Sequence, residues 1–151
     1  MPLRTILLLI FVALTLQSGT LNTISPLTQA INTVTNYTWQ FTFSSSTLRS
    51  DANLTFPSAC TLSGSTQVWI GATQLNTTIS SNTIIITSSS LLYNYVSLTV
   101  TNVKNPYSAI PTYSFSVTTT LEGTFSLSQG SQVIYQAGQL QTNLWSFSLC
   151  T

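Results

Sequence analysis

Apolar and polar residues alternate along much of this chain. The clearest case is segment 36–43, NYTWQFTF, in which Tyr37, Trp39, Phe41 and Phe43 are separated by polar residues. Successive side chains of a strand point to opposite faces of a sheet, so this period of two predicts a strand with all four aromatic rings on one face. The same alternation recurs in segments 52–56, 95–100, 113–117, 124–128, 132–136 and 144–149.

Two further segments, 67–71 (QVWIG) and 83–87 (TIIIT), are more continuously apolar, which is typical of strands inside a sheet. Turn-forming residues separate the segments, so strands recur about every 8 to 14 residues, the spacing of a sandwich or barrel. No window has helical periodicity. Strands without helices must bury their apolar faces on each other, which predicts an all-β fold with a single antiparallel β-sandwich.

The N-terminal segment has the features of a secretory signal peptide. One basic residue, Arg4, precedes an apolar run from Ile6 to Leu16 that is too short to span a bilayer comfortably. We assign residues 1–19 to the signal peptide and 20–151 to the β-sandwich domain. A buried strand or an uncleaved anchor is the alternative interpretation. No second long apolar run follows, so we expect a secreted or extracellular surface protein with no transmembrane span after the signal peptide.

The chain is nearly uncharged, which excludes several functions. It has 3 Lys+Arg, 2 Asp+Glu and no His, with a net charge of +1. Nucleic-acid binding needs a row of cationic contacts to phosphates, and zinc sites need more ligands than two cysteines. Asp51 and Glu122 are the only carboxylate side chains, so a paired acid and base is not expected. We predict no enzyme activity, cofactor, metal site or nucleic-acid partner.

The two cysteines, Cys60 and Cys150, can form a disulfide in the secretory pathway. Closing a loop of about 90 residues would stabilise the fold by about 4.6 kcal/mol in the chain-entropy model. Alternatively, Cys150 remains a free thiol or links two chains, because it lies next to the C-terminus.

Asn36, Asn53 and Asn76 lie in N-glycosylation sequons, whereas Asn105 precedes Pro106 and does not qualify. The low charge removes most self-repulsion, so solubility must come from hydroxyls, amides or attached sugars. In a chain this rich in threonine some sequons arise by chance, and one or more of the three can stay unmodified.

Sheet edges with few charges favour pairing between molecules, and segment 82–88, NTIIITS, has the uncharged β-forming character of an aggregation-prone window. Either sugars and turns protect the edges, or self-association is part of the function. Pro106 and Pro111 cannot donate to a sheet ladder. They predict a connection at 105–111 after a strand ending near Thr101, with Lys104 solvating the turn.

Several segments together resemble the repeated extracellular β-sandwich modules of ciliate and other protist surface proteins. The resemblance covers residues 33 to about 137. It rests on Thr35, Tyr37, Trp39 and Phe41; Phe56, Pro57 and Ser58; Asn105 and Pro106; and Ser114, Phe115, Val117 and Thr119. It implies an Ig-like or adhesin-like sandwich in an extracellular setting and brings no catalytic residues. The chain differs in having one module and no anchor, so a complete surface protein, a secreted remnant and a fragment are all compatible with it.

Tryptophans are the candidate ligand contacts. Trp39, Trp69 and Trp145 could stack on sugars, although packing within the sandwich is the commoner role of a strand tryptophan. Trp69 lies between Val68 and Ile70 and should point away from them, so it is the best candidate. Thr-x-Thr pairs suggest ice binding only weakly, because they follow no fixed period.

The sequence therefore predicts a structural or adhesive β-sandwich glycoprotein. A carbohydrate-binding, lectin-like module is the alternative. Surface glycans or other surface or matrix proteins are the expected partners.

Overall fold

The computed structural model describes residues 19–44, 51–87, 94–109, 114–127, 133 and 135–137. Within these ranges the protein is all-β, as predicted, with no helix long and apolar enough to cross a membrane. The strands are β1 (Thr20–Pro26), β2 (Val34–Thr42), β3 (Ala52–Thr55), β4 (Gln67–Ile70), β5 (Thr73–Gln74), β6 (Thr77–Ser80), β7 (Thr83–Ile86), β8 (Tyr95–Lys104), β9 (Ser116–Thr119) and β10 (Gly123–Ser126). Residues 1–18, the predicted strand 144–149 with Trp145, and Cys150 lie outside the described residues.

Two antiparallel sheets form the predicted β-sandwich. The first has the strand order β1-β2-β8-β4-β5 and the second has the order β10-β9-β3-β7-β6. The two continuously apolar segments, now β4 and β7, lie inside their sheets as predicted. The strand within segment 82–88, Thr83–Ile86, is therefore not a sheet edge, because β7 pairs with β3 on one side and β6 on the other.

The core confirms the period of two in β2. Tyr37, Trp39 and Phe41 have no exposed surface, and Phe43 is 3% exposed. The Trp39 ring packs edge to face on Phe56, which directly follows β3 of the second sheet, and the two ring centroids lie 5.0 Å apart. Edge-to-face ring pairs contribute about 0.5–1.5 kcal/mol each beyond area burial. The aromatic face of β2 therefore holds the two sheets together.

Strand β1 was not predicted from the sequence, because a register shift interrupts its alternation. The shift lies between Leu21 and Thr23, and it places Leu21 and Ile24, three positions apart, on the buried side. A bulge of this kind adds a residue to one strand and breaks the period of two. The alternation of apolar and polar residues therefore does not reveal a strand that contains a bulge.

Strand β8 also runs further than predicted, to Lys104 rather than Thr101. Asn102 has a φ of 58°, and the pairing with β2 shifts register opposite it. The alternation restarts beyond this point, where Val103 is buried and Lys104 pairs with Thr61 through two main-chain hydrogen bonds of 3.0 Å. The Lys104 ammonium donates to the Tyr107 hydroxyl at 2.9 Å, at the start of the predicted connection.

Candidate functional site

The outer face of the first sheet carries Trp69. On β4, Val68 is fully buried, whereas Trp69 is half-buried. Val68 belongs to the hydrophobic core and Ile70 packs against it, but Trp69 belongs to neither group. Because adjacent strand residues point to opposite faces, the Trp69 indole lies on the outer side of the sheet, away from Val68.

The strand register places Trp69 in a row of polar residues that crosses all five strands of the sheet. Residues at neighbouring positions of this Trp69 row are Ser25, Thr38, Thr99, Trp69 and Gln74. Neighbouring strands lie about 4.7–4.9 Å apart, so the row extends about 19 Å across the sheet. An aromatic side chain thus lies between a hydroxyl on β8 and an amide on β5.

A second polar row runs beside the Trp69 row. It consists of Thr23, Gln40 and Ser97, and the Thr23 hydroxyl donates to Gln40 Oε1 at 2.8 Å. All three side chains are exposed or half-buried and none is charged. The two rows together form an outer face of hydroxyl and amide groups that includes one indole.

The two carboxylates are engaged with the main chain elsewhere in the fold. Asp51 Oδ2 accepts a hydrogen bond from the Thr120 N–H at 2.8 Å. Glu122 is buried, and its Oε2 accepts from the Ser44 N–H at 3.1 Å. The Asp51 bond stabilises the turn between β9 and β10, and the Glu122 bond joins that turn to the end of β2 in the first sheet. The described residues hold no group of three or more His, Cys, Asp or Glu that could bind a metal ion.

The three sequon asparagines occupy different parts of the sandwich. Asn36 lies on β2 and its Oδ1 accepts from the Asn102 N–H at 3.4 Å. Asn53 lies on β3, between Thr118 and Ile85 on the neighbouring strands. Asn76 is exposed in the connection between β5 and β6. Asn36 and Asn53 thus lie within sheets, and Asn76 lies at the start of an outer strand.

A buried polar cluster lies at one end of the core, formed by Tyr37, Cys60, Asn105 and Tyr135; we call it the Asn105 network. The Tyr37 hydroxyl donates to Asn105 Oδ1 at 2.6 Å and lies 3.0 Å from the Tyr135 hydroxyl. The Cys60 thiol lies 3.5 Å from the Tyr135 hydroxyl. Burial raises the pKa of both phenols and of the thiol above their ordinary values, because it disfavours the charged forms.

Cys60 is a buried free thiol in the structure. Because Cys150 lies outside the described residues, their disulfide stays a prediction.

The sequence did not predict the role of Asn105, which was assigned only to a connection between two strands. The side chain is 1% exposed and fixes the chain before β2 by donating to the carbonyls of Thr28 at 2.9 Å and Ala30 at 2.7 Å. An available signal was the inward position of Tyr37, since a buried tyrosine hydroxyl usually finds a hydrogen-bond partner.

The outer face of the first sheet has no charged side chain in its two polar rows. This face contains one half-buried indole together with hydroxyl and amide groups. Lys104, the one cation among the described residues, lies at the end of β8 and donates to the Tyr107 hydroxyl. Comparison with known proteins adds no relative: no family model, curated protein or solved structure matches this chain. The resemblance to protist surface modules therefore stays a prediction.

Proposed function

We propose that the protein is a secreted or cell-surface β-sandwich module with a structural or adhesive role and no catalytic activity. The observation that carries this proposal is the outer face formed by the Trp69 row and the second polar row, none of whose residues is charged. Such a face can contact a partner through stacking and neutral hydrogen bonds. The two carboxylates, Asp51 and Glu122, take no part in it because each accepts a main-chain hydrogen bond elsewhere.

The signal peptide, the N-glycans and the Cys60–Cys150 disulfide belong to this proposal. They are tested together by expressing the full chain in a secretory eukaryotic host and analysing the released protein by intact and peptide mass spectrometry. We expect cleavage near residue 19, glycan on at least one of the three sequons, and a peptide that joins the two cysteines. Retention in the cytosol with an intact N-terminus would contradict the proposed secretion.

A carbohydrate-binding module is the second candidate, favoured by the position of Trp69 between Thr99 and Gln74. An indole stacks on the apolar face of a sugar ring, and the flanking hydroxyl and amide can bond to the ring hydroxyls. Because none of the residues in the two polar rows is charged, neutral glycans are the expected ligands rather than sulfated or sialylated ones.

A glycan array with three proteins tests this candidate. Wild type should bind a defined set of neutral glycans, and Trp69→Ala should lose that binding. Tyr107→Ala is the matched control, because Tyr107 is also an exposed aromatic residue, 69% accessible, and lies outside the two polar rows. Equal binding by wild type and Trp69→Ala would exclude Trp69 as a sugar contact, and no binding by any of them would favour the purely structural role.

A further inference from the structure

The outer strands of the two sheets differ in how far they are protected. On one side of the sandwich, Leu21 of β1 forms a bridge with Leu127, just after β10, and so joins the two sheets. On the other side, β5 is only two residues long. Strand β6 is four residues long and pairs only with β7 among the described strands. Its second edge presents main-chain N–H and C=O groups that could pair with another strand.

The chemistry of β6 favours pairing with a second copy of this chain. The strand, Thr77–Ser80, contains no charge and no proline, which are two of the features that prevent strand addition in natural edge strands. Its Ile79 packs against the core, so the strand is held in place by apolar contact. Two β6 strands related by a twofold axis would meet antiparallel without like charges facing each other.

Asn76 lies where a modification would block this pairing. It is exposed, it directly precedes β6, and its carbonyl accepts the Thr87 N–H at 3.0 Å, which fixes the main chain there. The sequon Asn76-Thr77-Thr78 extends into the edge strand itself. By contrast, Asn36 and Asn53 lie on strands with a neighbour on each side, so glycans there would cover sheet faces.

We propose that a glycan on Asn76 protects the β6 edge, and that the chain without this glycan self-associates by β6–β6 pairing. The modification forms a bond between sugar C1 and Asn76 Nδ2 and releases a proton from that nitrogen. It breaks the bond from C1 to a lipid-pyrophosphate donor, which leaves. The glycan depends on the secretion proposed above, whereas the pairing of the bare edge does not.

Substitutions at Thr78 separate loss of the glycan from exposure of the edge. Thr78→Val and Thr78→Lys both destroy the sequon, and the Thr78 side chain is exposed. Valine leaves an uncharged edge, and lysine adds the charge that natural edge strands use against pairing. Asn76→Gln removes the glycan without changing β6, and Asn53→Gln is the control that removes a glycan from an inner strand.

Sedimentation velocity of the secreted proteins, with glycan occupancy measured by mass spectrometry, provides the test. We expect wild type, Thr78→Lys and Asn53→Gln to be monomers. Thr78→Val and Asn76→Gln should form a species of twice the monomer mass, increasing with concentration. An unmodified Asn76 in secreted wild type, a monomeric Thr78→Val, or equal association of the valine and lysine variants would each overturn the proposal.

Protein made without glycosylation tests the edge independently of secretion. Wild type should then self-associate and Thr78→Lys should stay monomeric. If this difference appears but the chain is not secreted, the proposed function fails and the pairing of the edge stands. If both bare proteins are monomers, the edge proposal fails whatever the outcome for secretion.

Discussion

Replacing Asn105 with alanine should destabilise the fold more than almost any other polar substitution. The Asn105 side chain makes three hydrogen bonds, to the Tyr37 hydroxyl and to the carbonyls of Thr28 and Ala30, at 2.6–2.9 Å. Each bond contributes about 1 kcal/mol net, and a buried group left without a partner costs about 1–3 kcal/mol. Tyr37 keeps its contact with Tyr135, so the expected loss is about 3–5 kcal/mol, a large share of typical domain stability.

Urea unfolding at pH 7, followed by tryptophan fluorescence, to which the buried Trp39 contributes, measures this loss. Asn22→Ala is the matched control, because Asn22 lies on the outer strand β1 and makes one side-chain bond, to Thr42 Oγ1 at 2.8 Å. It should cost about 1 kcal/mol or less. An Asn105→Ala protein within about 1 kcal/mol of wild type, or no less stable than the control, would refute the network as a determinant of stability.

Three further predictions follow from the described residues. In protein with Cys60 reduced, the raised pKa values of Cys60, Tyr37 and Tyr135 mean that the unfolded chain loses these protons first as pH rises. Stability should be constant below about pH 8.5, fall above it as the thiol of the unfolded chain ionises, and fall more steeply above about pH 10 as its phenols ionise, by up to about 1.4 kcal/mol per pH unit for each group. Urea midpoints from pH 6 to 10.5 check this, and an unchanged midpoint at pH 10 would contradict it. Ser81 has a φ of 55° in the two-residue turn between β6 and β7. Ser81→Gly should therefore stabilise the fold by about 1 kcal/mol, measured as a higher melting temperature. A lower melting temperature would show that the serine is not strained. Phe56→Ala should cost about 3–5 kcal/mol in urea unfolding, because the ring is fully buried against Tyr37 and Trp39; a loss below about 1.5 kcal/mol would show that the core readily repacks.

Local pattern located those strands whose alternation is unbroken. From Thr35 on β2 to Phe43 directly after it, every second residue is buried, and β4 and β7 are inner strands, as their apolar composition predicted. Strand β1 and the end of β8 could not be located in this way, because register shifts interrupt the alternation at Leu21 and near Asn102. Alternation is a property of neighbours in the chain, whereas a bulge is set by the partner strand.

The candidate site was predictable only in part. The outward direction of Trp69 follows from its position next to Val68, and the structure places the indole on the outer face. Its neighbours were not predictable, since Ser25, Thr38, Thr99 and Gln74 come from four other strands. Ice binding was judged from the period of threonines along the chain. In this fold, however, polar residues from different strands are aligned by strand pairing.

The sequence by itself determined the all-β class, the faces of the regular strands and the scarcity of acid, base and metal-ligand groups, because these depend on composition and on the two-residue period of a strand. Tertiary structure alone decided which strands meet, and therefore the Trp69 row, the burial of Asn105 under Tyr37 and the open edge of β6. Tyr37 and Asn105 are 68 positions apart. Contacts over such distances arise from the packing of whole sheets, which no local pattern specifies.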